Sequence, residues 1–195
     1  MKNKISLSTM IATFFGIGFC QFAPGTLGSI AAFPLYFLVT YMLIFIKGGV
    51  VSLASGDLIN SLLVFFTALF FIGVWAAQQY SAKTGKSDPK EIVIDEVVGQ
   101  SFTICWIIFF LPYLGIEILE KFINIGISEP NFVWLNLLSA FILFRLFDIT
   151  KPWPINYIDK KYKGGFGVML DDVVAALFAC IIHYFILYAI ADHFL

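Results

Sequence analysis

Charge is the scarcest property of this chain. Only 13% of its 195 residues are Asp, Glu, Lys or Arg, about half the roughly 25% of an average soluble domain. So few charges cannot cover a chain that is 60% hydrophobic, which excludes an ordinary soluble surface although the length suits one domain, 1–195. Arginine is represented by Arg145 alone, and histidine by His183 and His193. The three cysteines, Cys20, Cys105 and Cys180, are far apart and set in apolar stretches. That spacing supplies neither a disulfide framework nor a metal site, so buried free thiols are expected. Because neither histidine lies near the polar windows, His183 reads as a core or interface residue, and no Cys or His nucleophile is expected. A net charge of −1 argues against nucleic acid as a partner. No A-x-A-like site follows the first apolar stretch, and Phe19 is too bulky for lipoprotein-type cleavage before Cys20. Residues 5–22 are therefore kept in the mature protein despite Lys2 and Lys4 ahead of them.

The charges that are present are concentrated. Sixteen of the 25 fall in residues 81–100 and 145–172, at the edges of long apolar runs. Charge-free stretches predict five membrane-crossing helices over 27–46, 58–80, 97–116, 131–148 and 173–191, each close to the roughly 20 residues that span a bilayer. Pro24-Gly25 separates the first from residues 5–22, which are read as a re-entrant or interfacial segment. Pro34 and Pro112 are expected to kink their helices or mark boundaries. A compact soluble bundle would need polar helix faces, and 58–80 offers only Asn60, Ser61, Thr67, Gln78 and Gln79. If each stretch crosses once, residues 23–28, 81–96 and 148–172 share one side. That side carries eight of the lysines and arginines, against Lys47 and Lys121 on the other, so it is expected to be cytoplasmic. The fold class expected is an all-α membrane bundle of five to six helices with its polar motifs at that face.

Four motifs lie on the crowded side. APGTLGS (23–29) is a Gly-rich turn opening a helix. Its free N–H groups, with the Thr26 and Ser29 hydroxyls and the turn at Gly28, suit an anion, although a plain helix break with a cap reads the same way. In DPKEIVIDEVVGQ (88–100), Asp95 and Glu96 stand at a span entrance. Neighbouring helical residues diverge by about 100°, so one acid could bind a metal while the other meets a lysine. A helix cap explains one such acid better than two. In FRLFDITKPWPI (144–155), Arg145 and Asp148 share a helical face, and Pro152 and Pro154 stop the helix and force an extended exit. This motif is either an interfacial anchor or a site in which Asp148 meets a metal, Lys151 a phosphate and Arg145 an oxyanion. In GGFGVMLDDVVAA (164–176) a flexible glycine loop leads to a second acidic pair, Asp171 and Asp172, at a span entrance. Acids from three helix ends could supply the oxygen ligands that Mg²⁺ takes. Lys160, Lys161 and Lys163 read as a solvated patch beside anionic headgroups.

In this order, over residues 16–178, the four motifs resemble the phosphatidylglycerophosphatase A family. The resemblance implies an all-α protein of the bacterial inner membrane that hydrolyses phosphatidylglycerophosphate to phosphatidylglycerol and phosphate with Mg²⁺. The partners implied are that phospholipid and the membrane lipids. On this reading Asp95, Glu96, Asp171 and Asp172 hold one or two Mg²⁺, with Asp148 as a further candidate. Lys151, Arg145 and the Thr26–Ser29 loop offset the phosphate charge. A rival reading is a transporter or channel whose acidic cluster is an ion site. The spaced signatures of the alcohol phosphotransferases, the histidine-nucleophile lipid phosphatases and the aspartyl-phosphate phosphatases are absent.

Overall fold

The structure, a computed structural model, describes the backbone of residues 6–49, 56–124, 126 and 128–193, and the side chains of these except 110–117, 119, 129 and 193. Lys2 and Lys4, whose side of the membrane bears on the charge argument, lie outside the described residues. The described residues form seven α-helices and one 3₁₀ turn. They are α1 (Leu7–Ala12), the 3₁₀ turn (Ile17–Phe19), α2 (Pro24–Ile46), α3 (Gly56–Thr84), α4 (Ile94–Asn124), α5 (Glu129–Thr150), α6 (Ile155–Lys161) and α7 (Gly165–His193). This is the expected all-α class.

Four helices are long and apolar enough to cross a membrane: Pro24–Ile46, Gly56–Thr84, Pro130–Thr150 and Gly165–Asp192. The chain is a multi-pass membrane protein. The fifth expected span coincides with α4, whose 31 residues exceed the roughly 20 that a bilayer requires. Helix α4 is the centre of the bundle, packing against α2, α3, α5 and α7. Residues 97–105 are all buried, including Ser101 and Thr103, whose hydroxyls donate to carbonyls one turn back. Small groups of this kind allow helices to pack closely where hydrocarbon supplies no drive to associate. The outer helices instead present Phe37, Phe45, Phe71, Trp134 and Phe185 outward.

Residues 6–22 contain no helix long enough to cross. Helix α1 has six residues, about 9 Å of rise, and the chain then reverses through Phe14, Phe15 and Gly16, all with positive φ. The segment lies against α3 and α2, in keeping with a re-entrant or interfacial piece. Helix α2 runs through Pro34 and α4 through Pro112, so neither proline is a helix boundary. Two local expectations are corrected. After Lys151 the chain does not leave extended. The N–H groups of Ile155 and Asn156 both donate to the Pro152 carbonyl, folding the exit into a turn that starts α6. And α7 begins at Gly165, not after the second acidic pair, so Asp171 and Asp172 lie almost two turns inside the helix. The cause is a side-chain cap: Gln78 Oε1 of α3 accepts from Gly165 N–H at 2.8 Å, satisfying one of the donors a helix start leaves open.

The two ends of the bundle are distinct. At one, Lys47 beyond α2 donates to the Asp57 carbonyl at the start of α3, and Lys121 near the end of α4 donates to the Ala191 carbonyl of α7. At the other meet the start of α2, the end of α3, the start of α4, the end of α5 and the first turns of α7.

Candidate active site

That second end encloses a cavity of about 430 Å³. Eight of the ten expected site residues line it: Thr26, Asp95, Glu96, Arg145, Asp148, Lys151, Asp171 and Asp172. Gly28 and Ser29 stand behind the wall. Gly28 lets α2 close on the start of α4, since a Cβ there would lie 3.0 Å from the Val93 carbonyl oxygen. Ser29 is fully buried. Its hydroxyl donates to the Gly25 carbonyl at 3.1 Å and accepts from Arg145 Nη1 at 3.4 Å, so it props the arginine from the rear.

The acids come from two helices. Asp95 and Glu96 occupy the first turn of α4, and Asp172 faces them from α7. Each offers a carboxylate oxygen within 4.8 Å of those of the other two. Asp95 Oδ1, Glu96 Oε2 and Asp172 Oδ2 are buried without a hydrogen-bond partner. Among the described residues all eight such buried atoms belong to Glu91, Asp95, Glu96, Gln100, Arg145, Asp171 and Asp172. They sit at this end of the molecule. An unpaired buried carboxylate oxygen is costly, and three carboxylates this close repel one another. A set of close, buried, all-oxygen donors fits a hard divalent cation. Mg²⁺ therefore suits Asp95, Glu96 and Asp172.

Adjacent Asp95 and Glu96 share one focus because the glutamate is longer and splits its oxygens between two tasks. Glu96 Oε1 turns to Arg145 Nη1, 3.9 Å away, and the partner of this acid is thus the arginine, not a lysine. The same oxygen presses on α2, where a Cβ at Gly25 would lie only 2.1 Å from it. Arg145 also pairs with Asp148, one turn along α5. Asp171 stands apart from the group of three: its Oδ2 accepts from Lys151 Nζ at 2.5 Å.

Lys151 reaches that position through its backbone. It ends α5 in the left-handed region, φ 40°, with its N–H donating to Phe147 O at 2.9 Å. Ala23, which precedes α2, is left-handed as well, φ 45°. Both line the cavity, and such strained residues collect at functional sites. Lys151 Nζ also donates to Asp159 Oδ1 at 3.0 Å. Burial disfavours its charged form, but the charges of, and hydrogen bonds to, Asp171 and Asp159 outweigh burial and hold its pKa above the ordinary lysine value. Its place between two acids favours the ammonium form. Ala23 gives no side-chain cap, so the first-turn N–H groups of Gly25 and Thr26 have no intrahelical acceptor. They stand beside Arg145 as anion donors.

Four contributors escape a reading of the sequence. Asp159 fixes Lys151 from α6, across a turn whose geometry no motif reveals. Gln78 caps α7, and its only signal is a polar side chain near the end of an apolar span. Gln100 is completely buried with both amide atoms unpartnered, one turn beyond Glu96. A lone glutamine at that spacing is a usable signal. Lys90 lies in the cavity wall, hidden among the other lysines of its window.

Comparison with known proteins covers nearly the whole chain. The family described as phosphatidylglycerophosphatase A matches residues 10–187. A phosphatidylglycerophosphatase A of Haemophilus influenzae is 35% identical over 189 residues, 95% of this chain and 94% of that protein. The Escherichia coli K12 protein of the same name is 29% identical over 188 residues, 95% and 88% of the two chains. A putative phosphatidylinositol-3-phosphatase of Bacteroides thetaiotaomicron is 35% identical over 195 residues, 98% and 97%. No solved structure matches.

Proposed function

Because this chain belongs to the phosphatidylglycerophosphatase A family, we propose that it is a Mg²⁺-dependent phosphatase acting on phosphatidylglycerophosphate. It cleaves the terminal phosphomonoester to give phosphatidylglycerol and phosphate at the cytoplasmic face of a bacterial inner membrane. The observation that carries this reading is the set of unpartnered buried oxygens on Asp95, Glu96 and Asp172, set beside two cations and an uncapped helix start.

The roles follow from the contacts. Asp95, Glu96 and Asp172 would hold Mg²⁺, which when bound polarises a phosphate oxygen and lowers the pKa of water. Arg145 and the N–H groups of Gly25 and Thr26 receive the remaining phosphate oxygens, where charge grows during transfer. Asp148 and Ser29 hold the guanidinium in place. Lys151 offsets phosphate charge from the end of α5 while Asp171 and Asp159 fix its ammonium. The cytoplasmic assignment rests on the excess of lysine at this end.

The ion-path alternative has less support, since its acids should line the middle of the bundle and these gather at one end. A second substrate reading does have an observation behind it. The Bacteroides relative is named for a phosphatidylinositol 3-phosphomonoester, and the same groups could hold that phosphate. The test is phosphate release by purified protein from phosphatidylglycerophosphate, phosphatidylinositol 3-phosphate and a soluble monoester, with Mg²⁺ and after chelation. Release from the first lipid, lost on chelation and restored by Mg²⁺, is expected. Preference for the inositol lipid moves the substrate, indifference to chelation removes the cation, and no release from any of the three removes the phosphatase.

A further inference from the structure

Three cations stand in the cavity wall: Lys90, Arg145 and Lys151. Two are already matched by acids. Arg145 is paired with Asp148 and Glu96, and Lys151 with Asp159 and Asp171. Lys90 has no ion pair or hydrogen bond among the described residues. It is exposed, at the rim of the cavity, with its positive charge uncompensated by any acid in contact.

Its backbone is nonetheless fixed. Lys90 is the second residue of a turn closed by Ile92 N–H donating to Pro89 O at 2.9 Å. The next residue, Val93, donates to Ala12 O of α1 at 3.0 Å. Gly18 lies so close to this loop that a Cβ would stand 1.9 Å from Glu91 O. The loop is thereby clamped between α4, whose first turn carries Asp95 and Glu96, and the short N-terminal segment. That segment exposes Phe15, Phe19 and Phe22, the large apolar residues that sink into a membrane interface. Lys90 thus occupies the border between the lipid-facing aromatics and the acids.

Both lipids under consideration carry two phosphates of different kinds, a terminal monoester and a phosphodiester joined to the acylated glycerol. Resting on the function proposed above, we propose that Lys90 receives the lipid-side phosphodiester of the substrate and so selects headgroups that carry both phosphates. The monoester goes inward to Arg145 and the acids. The diester, tethered to acyl chains, stays at the rim and finds Lys90, the one cation of the wall among the described residues that no acid already holds. A charge-assisted contact of this kind strengthens binding of substrate and product alike and leaves the chemical step untouched.

The test uses the full-length protein in zwitterionic vesicles and separates the two phosphates by inhibition. Phosphatidylglycerol carries the diester alone and inorganic phosphate mimics the monoester. Lys90→Gln is expected to raise KM for phosphatidylglycerophosphate about tenfold, the loss typical of one charge-assisted hydrogen bond, with kcat unchanged. It weakens competitive inhibition by phosphatidylglycerol to the same degree and leaves inhibition by inorganic phosphate at the wild-type level. Lys90→Arg restores KM, and Lys86→Gln, an exposed lysine outside the wall, changes none of these. Equal weakening of both inhibitors, or of neither, with active wild-type protein overturns the assignment and spares the function. Wild-type protein that releases phosphate from neither phosphate-bearing lipid overturns both.

Discussion

Helices α5 and α7 carry two polar clusters, and the two are built on opposite terms. Deep in the bundle, His183 lies between Ser139 and Asn136, with Nδ1 2.8 Å from the Ser139 hydroxyl and Nε2 2.9 Å from Asn136 Oδ1. The Asn136 amide donates onward to the Phe132 carbonyl at 2.6 Å. That network is closed: none of its side-chain atoms is a buried atom without a partner. Toward the end of the same helices, Arg145, Asp171 and Asp172 each keep a buried polar atom that no protein group meets. A closed network holds helices together. An open one, where the other buried side-chain groups of the described residues are satisfied, is built for something that arrives from outside.

The sharpest way to break that contrast is to remove charge from the open cluster. Asp95→Asn and Asp172→Asn should each lower phosphate release at least about a hundredfold, since even outer partners of a metal site cost that much. Helix content by circular dichroism should stay unchanged. Near-wild-type turnover in both would mean that the unpartnered oxygens are packing accidents. Less drastic is Gly25→Ala. The added methyl meets Glu96 Oε1, the free end of a flexible side chain, and displaces the acid without disturbing the backbone. The expected sign is a higher Mg²⁺ requirement, by roughly tenfold, with little change in thermal stability. An unchanged Mg²⁺ titration would detach Glu96 from the cation. The smallest effect on catalysis belongs to the closed cluster. His183→Ala should leave kcat and KM alone and lower stability in detergent by about 1 kcal/mol, the scale of one interhelical hydrogen bond in a membrane. If it instead cripples turnover, the two clusters are not separate.

Much of this is legible in the sequence. Absence of charge over twenty-residue runs marked the crossings, because lipid tolerates few alternatives to an apolar helix. The alternation of those crossings put all four motifs on one side. What stayed hidden depends on distances between segments. Nothing in the order of residues says that Asp171 would be taken by Lys151 while Asp172 joins Asp95 and Glu96. That division comes from the left-handed end of α5, which swings one lysine across the cavity. The early start of α7 was missed for a related reason. Three glycines in four residues read as a loop, and only the Gln78 side chain from another helix makes them a first turn. Ser29 was assigned to the anion on its hydroxyl, whereas its complete burial gives that hydroxyl to Arg145.

Residues 97–105 of α4 have no lipid-facing side, and within them Gly99 brings Asp172 within touching distance, its missing Cβ lying 3.1 Å from the Cβ of that acid. The gap between the two acid-bearing helices is consequently set by one bare backbone against an aspartate Cβ, with the Phe144 ring of α5 wedged beside them, a dimension that connecting segments cannot alter. Long or short links at the far end, around 47–57 or 124–129, leave the gauge of the reaction centre as it is. Such a design lets the remote surface drift to suit different membranes while the chemistry keeps a fixed calibre.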